Sequence, residues 1–520
     1  MIKTLVSIAV LVVASAAASV VAKSPAEHNT VKILIDANSI LREEFPSQLF
    51  GFNINHYAFE DDFLDANGDI PERVTSHLQS LEGIRYRYPG GLVANRFWWE
   101  ASVDGAQPRA PQKKVAHESA SPVRFGVNEY LDFVERVGGQ PWYVLNLVGW
   151  DKKQMIRELP AELMAASNAR LAALLRERAV DDSPRYYQLG NELDRAEYQW
   201  PAEKYIERSQ LTIDAIKAVD PDARFVAFLR DFDWTYKGSQ RLRGKSNFTD
   251  LIPEVLQGLP SVNDFSLHFY YDDPDTKQKI KTIERRMQQF ENAIKVARDS
   301  RNGVMPNVWI TEHARGVDLP RGRAMDRADL TGNLYGTIST ADFLIAISQI
   351  PEIKGAFLHG LNAGPWQVFD ASIQHHDLRP RPVYWGMRIL RAVDYELTLA
   401  TETRQGEAAS GYLGGYDVRA AGFSNAEQSE LGLWVANRAP LVVPAEVQFT
   451  PLAGRSVLVQ HNHISLPDGG EIDDPRLEPV LVTEAEAVCH QFSAEGLLTL
   501  RLPAGSVSGI RITPVAEDHC

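Results

Sequence analysis

The chain has 520 residues, with 54 Lys and Arg against 68 Asp and Glu, a formal net charge of −14. That balance argues against a nucleic-acid partner, because non-specific affinity for a phosphate backbone comes from clustered positive charge. With 44% hydrophobic residues, 9% aromatics and 10 Trp, the chain is too apolar to be a disordered acidic polymer and long enough for two domains, counting a barrel as one.

Residues 1–22 read as a secretory signal peptide. Lys3 precedes an apolar run from Leu5 to Ala22, and small residues at Ala16 to Ala18, or at Ala22, suit cleavage. The alternative is an uncleaved anchor helix, since the run approaches the ~20 residues that span a bilayer. No later stretch is as long and apolar, so the expectation is a periplasmic or extracellular protein with no membrane segment after cleavage. Cys489 and Cys520 either pair in that oxidising compartment or remain two free thiols.

Residues 23–45 carry one apolar strand, Val31 to Asp36, which precedes the barrel read from residues 46–395 and is expected to pair with the β-sandwich read from residues 396–520. From 46 to 395, short buried strands alternate with amphipathic helices, the pattern of βα units around a parallel sheet. Eight candidate strands fall at Leu49 to Asn53, Gly83 to Tyr88, Trp142 to Leu147, Tyr186 to Leu189, Phe225 to Leu229, Asp264 to Phe269, Val308 to Thr311 and Gly355 to His359. Eight is the number that closes a (β/α)8 TIM barrel. Helices are expected over Pro160 to Arg178, Pro201 to Val219 and Lys277 to Arg298. Residues 396–520 change to short alternating runs separated by Gly, Pro, Asn and Asp, such as Leu431 to Ala436 and Gly509 to Thr513. That pattern predicts a C-terminal all-β sandwich.

In such barrels the chemistry sits at the C-terminal ends of the strands. The fourth candidate strand ends in Asn191-Glu192 and the seventh in Thr311-Glu312. Strands four and seven lie across the ring from each other, so both carboxylates can face a substrate over its mouth. Glycoside hydrolysis needs such a pair, one to protonate the leaving oxygen and one to attack or stabilise the anomeric carbon. A lone carboxylate at a strand end would be read as a salt bridge, but the two together favour catalysis.

The chain resembles clan A retaining glycoside hydrolases, most nearly the family 51 α-L-arabinofuranosidases, over the order of leading strand, barrel and β-sandwich. The resemblance implies Glu192 as acid/base, Glu312 as nucleophile, and Asn191 as a partner of the sugar's 2-hydroxyl. Arg85-Tyr-Arg87-Tyr-Pro-Gly-Gly91 is similar to the family's Arg-aromatic-Pro-Gly-Gly sequence, and Arg87 there can hold the nucleophile ionised. In Ser266-Leu-His268-Phe-Tyr270 the resemblance puts Tyr270 against the nucleophile or ring oxygen, with His268 supporting the acid/base. Asn146, after the third strand, is expected in or just behind the site. Trp98, Trp99 and Trp150 lie in loops on the same face, where a ring can stack on a sugar or simply pack in the core. The departures fall on the sugar-reading positions: Asn55 stands where the family has Glu, Leu92 where it has Asn, His359 where it has Gln, and His313 where it usually has Trp. Machinery is kept while the groups that read the sugar change, and unmatched buried polar groups discriminate strongly between related sugars.

Double displacement would have Glu312 attack while Glu192, kept protonated near neutral pH, donates its proton; a retaining pair stands about 5–5.5 Å apart and an inverting pair roughly 6.5–9.5 Å. No cofactor or metal is implied. His375-His376 and His461-Asn-His463 lack a Cys or carboxylate at ligand spacing. The basic residues Arg230, Lys237, Arg241, Arg243 and Lys245 form either a solvated loop or a rim for an acidic polysaccharide. The expected partner is an oligosaccharide or polysaccharide, with homo-oligomerisation open. The rivals to arabinofuranosidase are another clan A specificity (β-xylosidase, β-glucuronidase, or an endo-hydrolase on an acidic polymer) and a carbohydrate-binding barrel without turnover.

Overall fold

The computed structural model describes residues 30–516 except 104–108, 113–119, 151–156, 180–183, 194–197, 199, 230–247, 273–281, 317–326 and 372–377. Residues 1–22, the basic cluster from Arg230 to Lys245, His375, His376 and Cys520 therefore lie outside the described residues. Among the described residues no helix is long and apolar enough to cross a membrane. Cys489 is disulfide-bonded, which removes the free-thiol alternative for it.

An opening strand β1 (Val31–Arg42) precedes eight parallel strands that close a barrel. These are β2 (Gly51–Asn53), β3 (Arg85–Tyr88), β4 (Gln140–Leu145), β5 (Tyr186–Leu189), β6 (Arg224–Phe228), β7 (Asp264–Tyr271), β8 (Asn307–Arg315) and β9 (Ile353–Leu358). The ring closes where Phe357 and Leu358 pair with Gly51 and Phe52. Closure requires Gly51, because a Cβ there would stand 2.8 Å from the Ala356 carbonyl oxygen.

The strands are apolar on both faces, as a parallel sheet covered by helices demands. Trp142, Val144, Val226, Trp309 and Phe357 turn inward and plug the barrel floor, with the Trp142 ring 4.8 Å from Trp309 and 5.0 Å from Phe357. Tyr143, Leu145, Phe225, Ala227, Ile310 and Leu358 turn outward into the helix layer. The helices expected at 160–178 and 201–219 run Ala161–Glu177 and Ala202–Lys217, each with its proline at the N-cap. The helix expected from Lys277 instead spans Ile283–Ser300, because the Thr282 side chain accepts from the Arg285 N–H and fixes the start.

The C-terminal strands are β10 (Leu397–Arg404), β11 (Val418–Ser424), β12 (Leu431–Asn437), β13 (Val443–Gln448), β14 (Ser456–Ser465), β15 (Val480–Val482), β16 (Val488–Gln491), β17 (Leu497–Leu502) and β18 (Ser506–Pro514). They form one curled ten-stranded sheet in which β1 lies between β10, antiparallel, and β13, parallel. The sandwich is thus a single sheet folded over its own core. Strict alternation on β12 shows how it sits. Leu431, Leu433 and Val435 enter the sheet's inner core, while Trp434 and Ala436 face the barrel helices, and the Trp434 indole N–H donates to the Leu390 carbonyl at 2.7 Å.

Trp142 is fully buried in the floor, so Trp142→Ala is expected to cost about 3–5 kcal/mol. Chemical unfolding followed by circular dichroism checks this, and a change below about 1 kcal/mol would show that the floor repacks.

Candidate active site

Glu312 owes its position to a β-bulge. On β8, Trp309 points into the barrel and Ile310 outward, so simple alternation would send residue 312 out among the helices. The register breaks instead: Ile310 pairs with Leu267, but Glu312 pairs with His268. Thr311 is the extra residue, and beyond it Glu312 turns inward while His313 turns outward against Tyr271 and Phe343. Bulges re-aim side chains in this way. Burial and the nearby His359 push His313 down to about 3, so it is a neutral packing residue.

Arg87, on β3 and fully buried, gathers the site. Its Nε donates to Gln188 Oε1 at 2.8 Å, Nη2 to Asn191 Oδ1 at 2.5 Å, and Nη1 to Glu312 Oε1 at 3.2 Å and to Asn53 Oδ1. Asn53 in turn donates to the Thr311 carbonyl at 2.7 Å, tying the bulge to β2. Asn95 clamps the backbone of Asn191 from both sides: Asn191 N–H donates to Asn95 Oδ1 at 3.0 Å and Asn95 Nδ2 to the Asn191 carbonyl at 2.5 Å. With its Oδ1 fixed by Arg87, Asn191 leaves Nδ2 buried and without a partner. That donor borders the space over Gly91, where a Cβ would meet Glu312 Oε1 at 2.7 Å and Asn191 Nδ2 at 3.8 Å. A hydroxyl-bearing ligand would satisfy it.

Glu192 lies two residues after Gly190 (φ 74°) and itself takes φ 49°, a left-handed conformation uncommon for a residue with a side chain and frequent at functional sites. His268 stands between the two carboxylates. Its Nδ1 is 2.9 Å from Glu192 Oε1 and 3.4 Å from Glu312 Oε2, and its Nε2 is 3.1 Å from Thr311 Oγ1. The Tyr270 hydroxyl donates to Glu312 Oε2 at 2.8 Å and lies 2.9 Å from His359 Nδ1, itself 3.0 Å from Glu312 Oε2. Since the single tyrosine proton goes to Glu312, His359 must carry a hydrogen on Nδ1. Trp366 packs edge-on against His359 with centroids 4.3 Å apart.

Burial alone would raise the Glu312 pKa. The charges of His268 and His359, the His359 hydrogen bond and the Arg87 charge outweigh it and hold the carboxyl well below the usual range. Burial, with Glu312 and Glu192 nearby, pushes Tyr270 well above its ordinary value, so its hydroxyl stays a donor. Glu312 is therefore an ionised, oriented carboxylate facing a second carboxylate. Among the described residues, Glu192, His268 and Glu312 are also the one group of three whose ligand atoms lie within 4.8 Å of one another. They are the atoms that would hold a cation.

Seven of the ten residues singled out from sequence (Glu192, Glu312, Asn191, Arg87, His268, Tyr270 and His359) come together in this network. Three sit elsewhere in the scheme. The Asn55 Oδ1 accepts from the Gly91 N–H at 3.1 Å and so holds the Pro-Gly-Gly turn. Gly90 packs so tightly on it that a Cβ would overlap its Oδ1, and Gly90 has φ 120°. Asn146 Oδ1 accepts from the Val148 and Gly149 N–H groups at 2.9 Å each, and its Nδ2 donates to Phe97 and Gly149 carbonyls at 3.3 and 3.4 Å. Its capacity is used on the loops. Trp99 is buried, its indole donating to Ser167 Oγ at 3.0 Å, so it packs the loop onto the helix Ala161–Glu177. The stacked pair on this face is Trp98 with Trp150, 5.5 Å apart.

Sequence reasoning missed Asn53, Asn95, Gln188 and Thr311. Gln188 carried a signal, being an inward polar residue in an otherwise apolar strand; Asn95 carried none, because its spacing from Gly91 means nothing until the 3-10 turn Leu92–Arg96 is folded.

A closed eight-stranded barrel backed by a curled β-sheet is the fold that the chain shares with solved family 51 α-L-arabinofuranosidases, and the chain resembles such enzymes in sequence as well. No protein-family profile matches it. It is 30% identical over 221 residues to an intracellular exo-α-(1→5)-L-arabinofuranosidase of Streptomyces lividans, covering 41% of this chain and 31% of that protein. It is 23% identical over 274 residues to a probable α-L-arabinofuranosidase C of Aspergillus niger, covering 48% and 53%. The chain thus spans about a third to a half of the length of these curated relatives. The α-L-arabinofuranosidase of Thermotoga maritima, solved as an arabinose complex, superposes with a TM-score of 0.69 at 14% identity, covering 94% of this chain and all of that one. At that identity the likeness establishes the shared fold.

Because the folded-state pKa of Glu312 is depressed, its ionisation contributes stability above the unfolded value of about 4.3 and loses it as pH falls through the folded value. Wild type and Glu312→Gln, unfolded in urea at several pH values, should differ by a constant amount above about pH 5.5 and converge below about 4.3. A difference independent of pH down to 3 would contradict the assignment.

Proposed function

We propose that the protein is a retaining glycoside hydrolase of α-L-arabinofuranosidase type, acting on oligosaccharides or polysaccharides. The observation that carries this reading is the carboxylate pair: oxygens of Glu192 and Glu312 lie within 4.8 Å of each other, which favours the retaining separation of about 5–5.5 Å over the inverting one of roughly 6.5–9.5 Å. The activities of the relatives named above support the same class.

In this reading Glu312, kept ionised by Arg87, Tyr270 and His359, attacks the anomeric carbon while Glu192 donates its proton to the departing oxygen. Glu192, now a carboxylate, then takes a proton from water, which cleaves the glycosyl ester and frees Glu312. His268 bonds Glu192 throughout and keeps it aimed at the leaving group. The unpartnered Asn191 Nδ2 offers a hydrogen bond to the sugar's 2-hydroxyl, a contact that gains strength as charge develops at the neighbouring carbon.

A different glycone is favoured by one feature. The family's furanose-reading carboxylate is replaced by Asn55, whose Oδ1 is spent on Gly91, and His359 supplies a ring where an amide is usual. A β-D-xyloside or β-D-glucuronide is the alternative, and a barrel that binds glycans without cleaving them is the non-enzymatic one. Export is proposed from residues 1–22 alone; a mature amino terminus beginning near Lys23 in protein recovered from expressing cells would support it, and an intact Met1 would count against it.

Aryl α-L-arabinofuranoside, β-D-xyloside and β-D-glucuronide, assayed with wild type, Glu192→Ala and Glu312→Ala, test the activity. One substrate should be cleaved, with turnover falling at least about 10³-fold in Glu312→Ala, and Glu192→Ala should be rescued by azide to give a glycosyl azide of retained configuration. Inverted product in wild type would refute the mechanism. No cleavage of these or of polysaccharides, despite binding, would leave the non-catalytic barrel.

A further inference from the structure

The catalytic strand end is gripped from outside the barrel. β7 carries His268 and Tyr270 and ends at Tyr271; the next residue, Asp272, is 2% exposed and turns into the left-handed region at φ 45°. Four hydrogen bonds hold it there. Tyr412 donates its hydroxyl to Asp272 Oδ1 at 2.7 Å, Arg438 Nη2 donates to Oδ2 at 2.6 Å, Ser339 Oγ to Oδ2 at 2.9 Å, and Arg315 Nε to the Asp272 carbonyl at 3.1 Å. Tyr412 and Arg438 belong to the sheet domain, one between β10 and β11 and the other just after β12, and the Arg438 guanidinium lies over the Tyr412 ring at 3.9 Å. Arg315 lies three residues beyond Glu312 on β8.

Tyr412 reaches the same strand end by a second route. Its hydroxyl accepts from the Ile283 N–H at 3.0 Å at the start of the helix Ile283–Ser300, and Arg286 one turn on donates Nε to the Tyr270 carbonyl at 3.0 Å. Arg438 is itself fixed by Asp342 at 2.5 Å, which also receives Tyr416 and Arg419. Every charge in the cluster meets an opposite one: Asp272, Asp342 and Glu284, three carboxylates, face the two guanidiniums of Arg438 and Arg419.

A buried network of this kind need not add stability over apolar packing, but it fixes geometry, and losing one partner is felt by the rest. Here the geometry fixed is the backbone from the Tyr270 carbonyl to Asp272, just after the side chain whose hydroxyl must meet Glu312 and His359 together. We propose that Tyr412 and Arg438 of the sheet domain are positioning residues that act through Asp272 to set Tyr270 against the nucleophile, making the sheet domain a working part of the active site. This rests on the glycosidase reading above.

A double-mutant cycle tests it, with Tyr412→Phe, Arg438→Lys and Tyr270→Phe alone and combined, assayed on the substrate the panel identifies. Tyr412→Phe removes one oxygen and is expected to lower kcat about ten-fold with KM changed less than about two-fold, and to have almost no further effect in a Tyr270→Phe background. An equal loss in both backgrounds, or none in either, would overturn the proposal, since a merely structural bond would act independently of Tyr270. A readout without turnover separates this from failure of the glycosidase reading: the ring-nitrogen NMR shifts of His359, which touches Tyr270, should move in Tyr412→Phe and in Arg438→Lys. Unchanged shifts in folded variants would overturn it, whatever the substrate panel shows.

Discussion

A guanidinium taken wholly out of water organises this molecule. Arg87 cannot shed its charge, so burial is tolerable only if its donors meet acceptors of good geometry. It finds them on Asn53, Gln188, Asn191 and Glu312, which come from β2, from β5 and the turn after it, and from β8. One side chain thus measures the relative positions of strands on opposite sides of the ring. It also decides the state of two of them, favouring an ionised Glu312 and turning Asn191 so that its buried amide donor is left without a partner beside Gly91. A lysine there would supply one compact charge instead of a planar fork and could not span the same acceptors.

The bulge at Thr311 is the complementary constraint. Arg87 needs a carboxylate inside the barrel, whereas the alternation that plugs the floor with Trp309 would carry residue 312 outside. Inserting one residue reconciles a packed floor with a functional rim, and Thr311 is not wasted, because its hydroxyl meets His268 and its carbonyl meets Asn53. The outward place goes to His313, which explains how an imidazole can follow the nucleophile without joining the chemistry.

These features explain what could be read before folding. Strand count and the placement of Glu192 and Glu312 follow from hydrophobic runs and what ends them, because a buried strand leaves a local signature. The resemblance supplied Arg87, His268 and Tyr270 for the same reason, each sitting in a recognisable run at a strand end. Amides were harder. Asn55, Asn146 and Asn191 look alike in sequence, all polar residues at strand ends, yet two satisfy loop backbone and one keeps a free donor. The difference lies in which groups each amide meets, which only the folded loops decide. Trp98 and Trp99 are a similar case, since neighbours in an irregular loop point in unrelated directions. The single curled sheet was likewise invisible as such, because alternation reports two faces and not where a sheet bends.

The barrel's two halves are also held differently. On the side of β2 to β5 the rim is fixed by amides, through Asn55, Asn95 and Asn146, with Arg208 holding the Leu147 carbonyl from the helix Ala202–Lys217. On the side of β7 and β8 it is fixed by charge, with Asp272 and Arg315 joined to the buried ion pairs of the sheet domain. Amide clamps are local and tolerate changes in distant domains, whereas a charge cluster ties its members together, since removing one ion leaves its partner uncompensated. Tyr270, in direct contact with Glu312 from β7, therefore depends on the sheet domain, and His268 on the same strand carries that dependence to both Glu312 and Glu192. A change in the sheet domain should thus reach the surroundings of both carboxylates through β7, a dependence that chain order alone would never suggest.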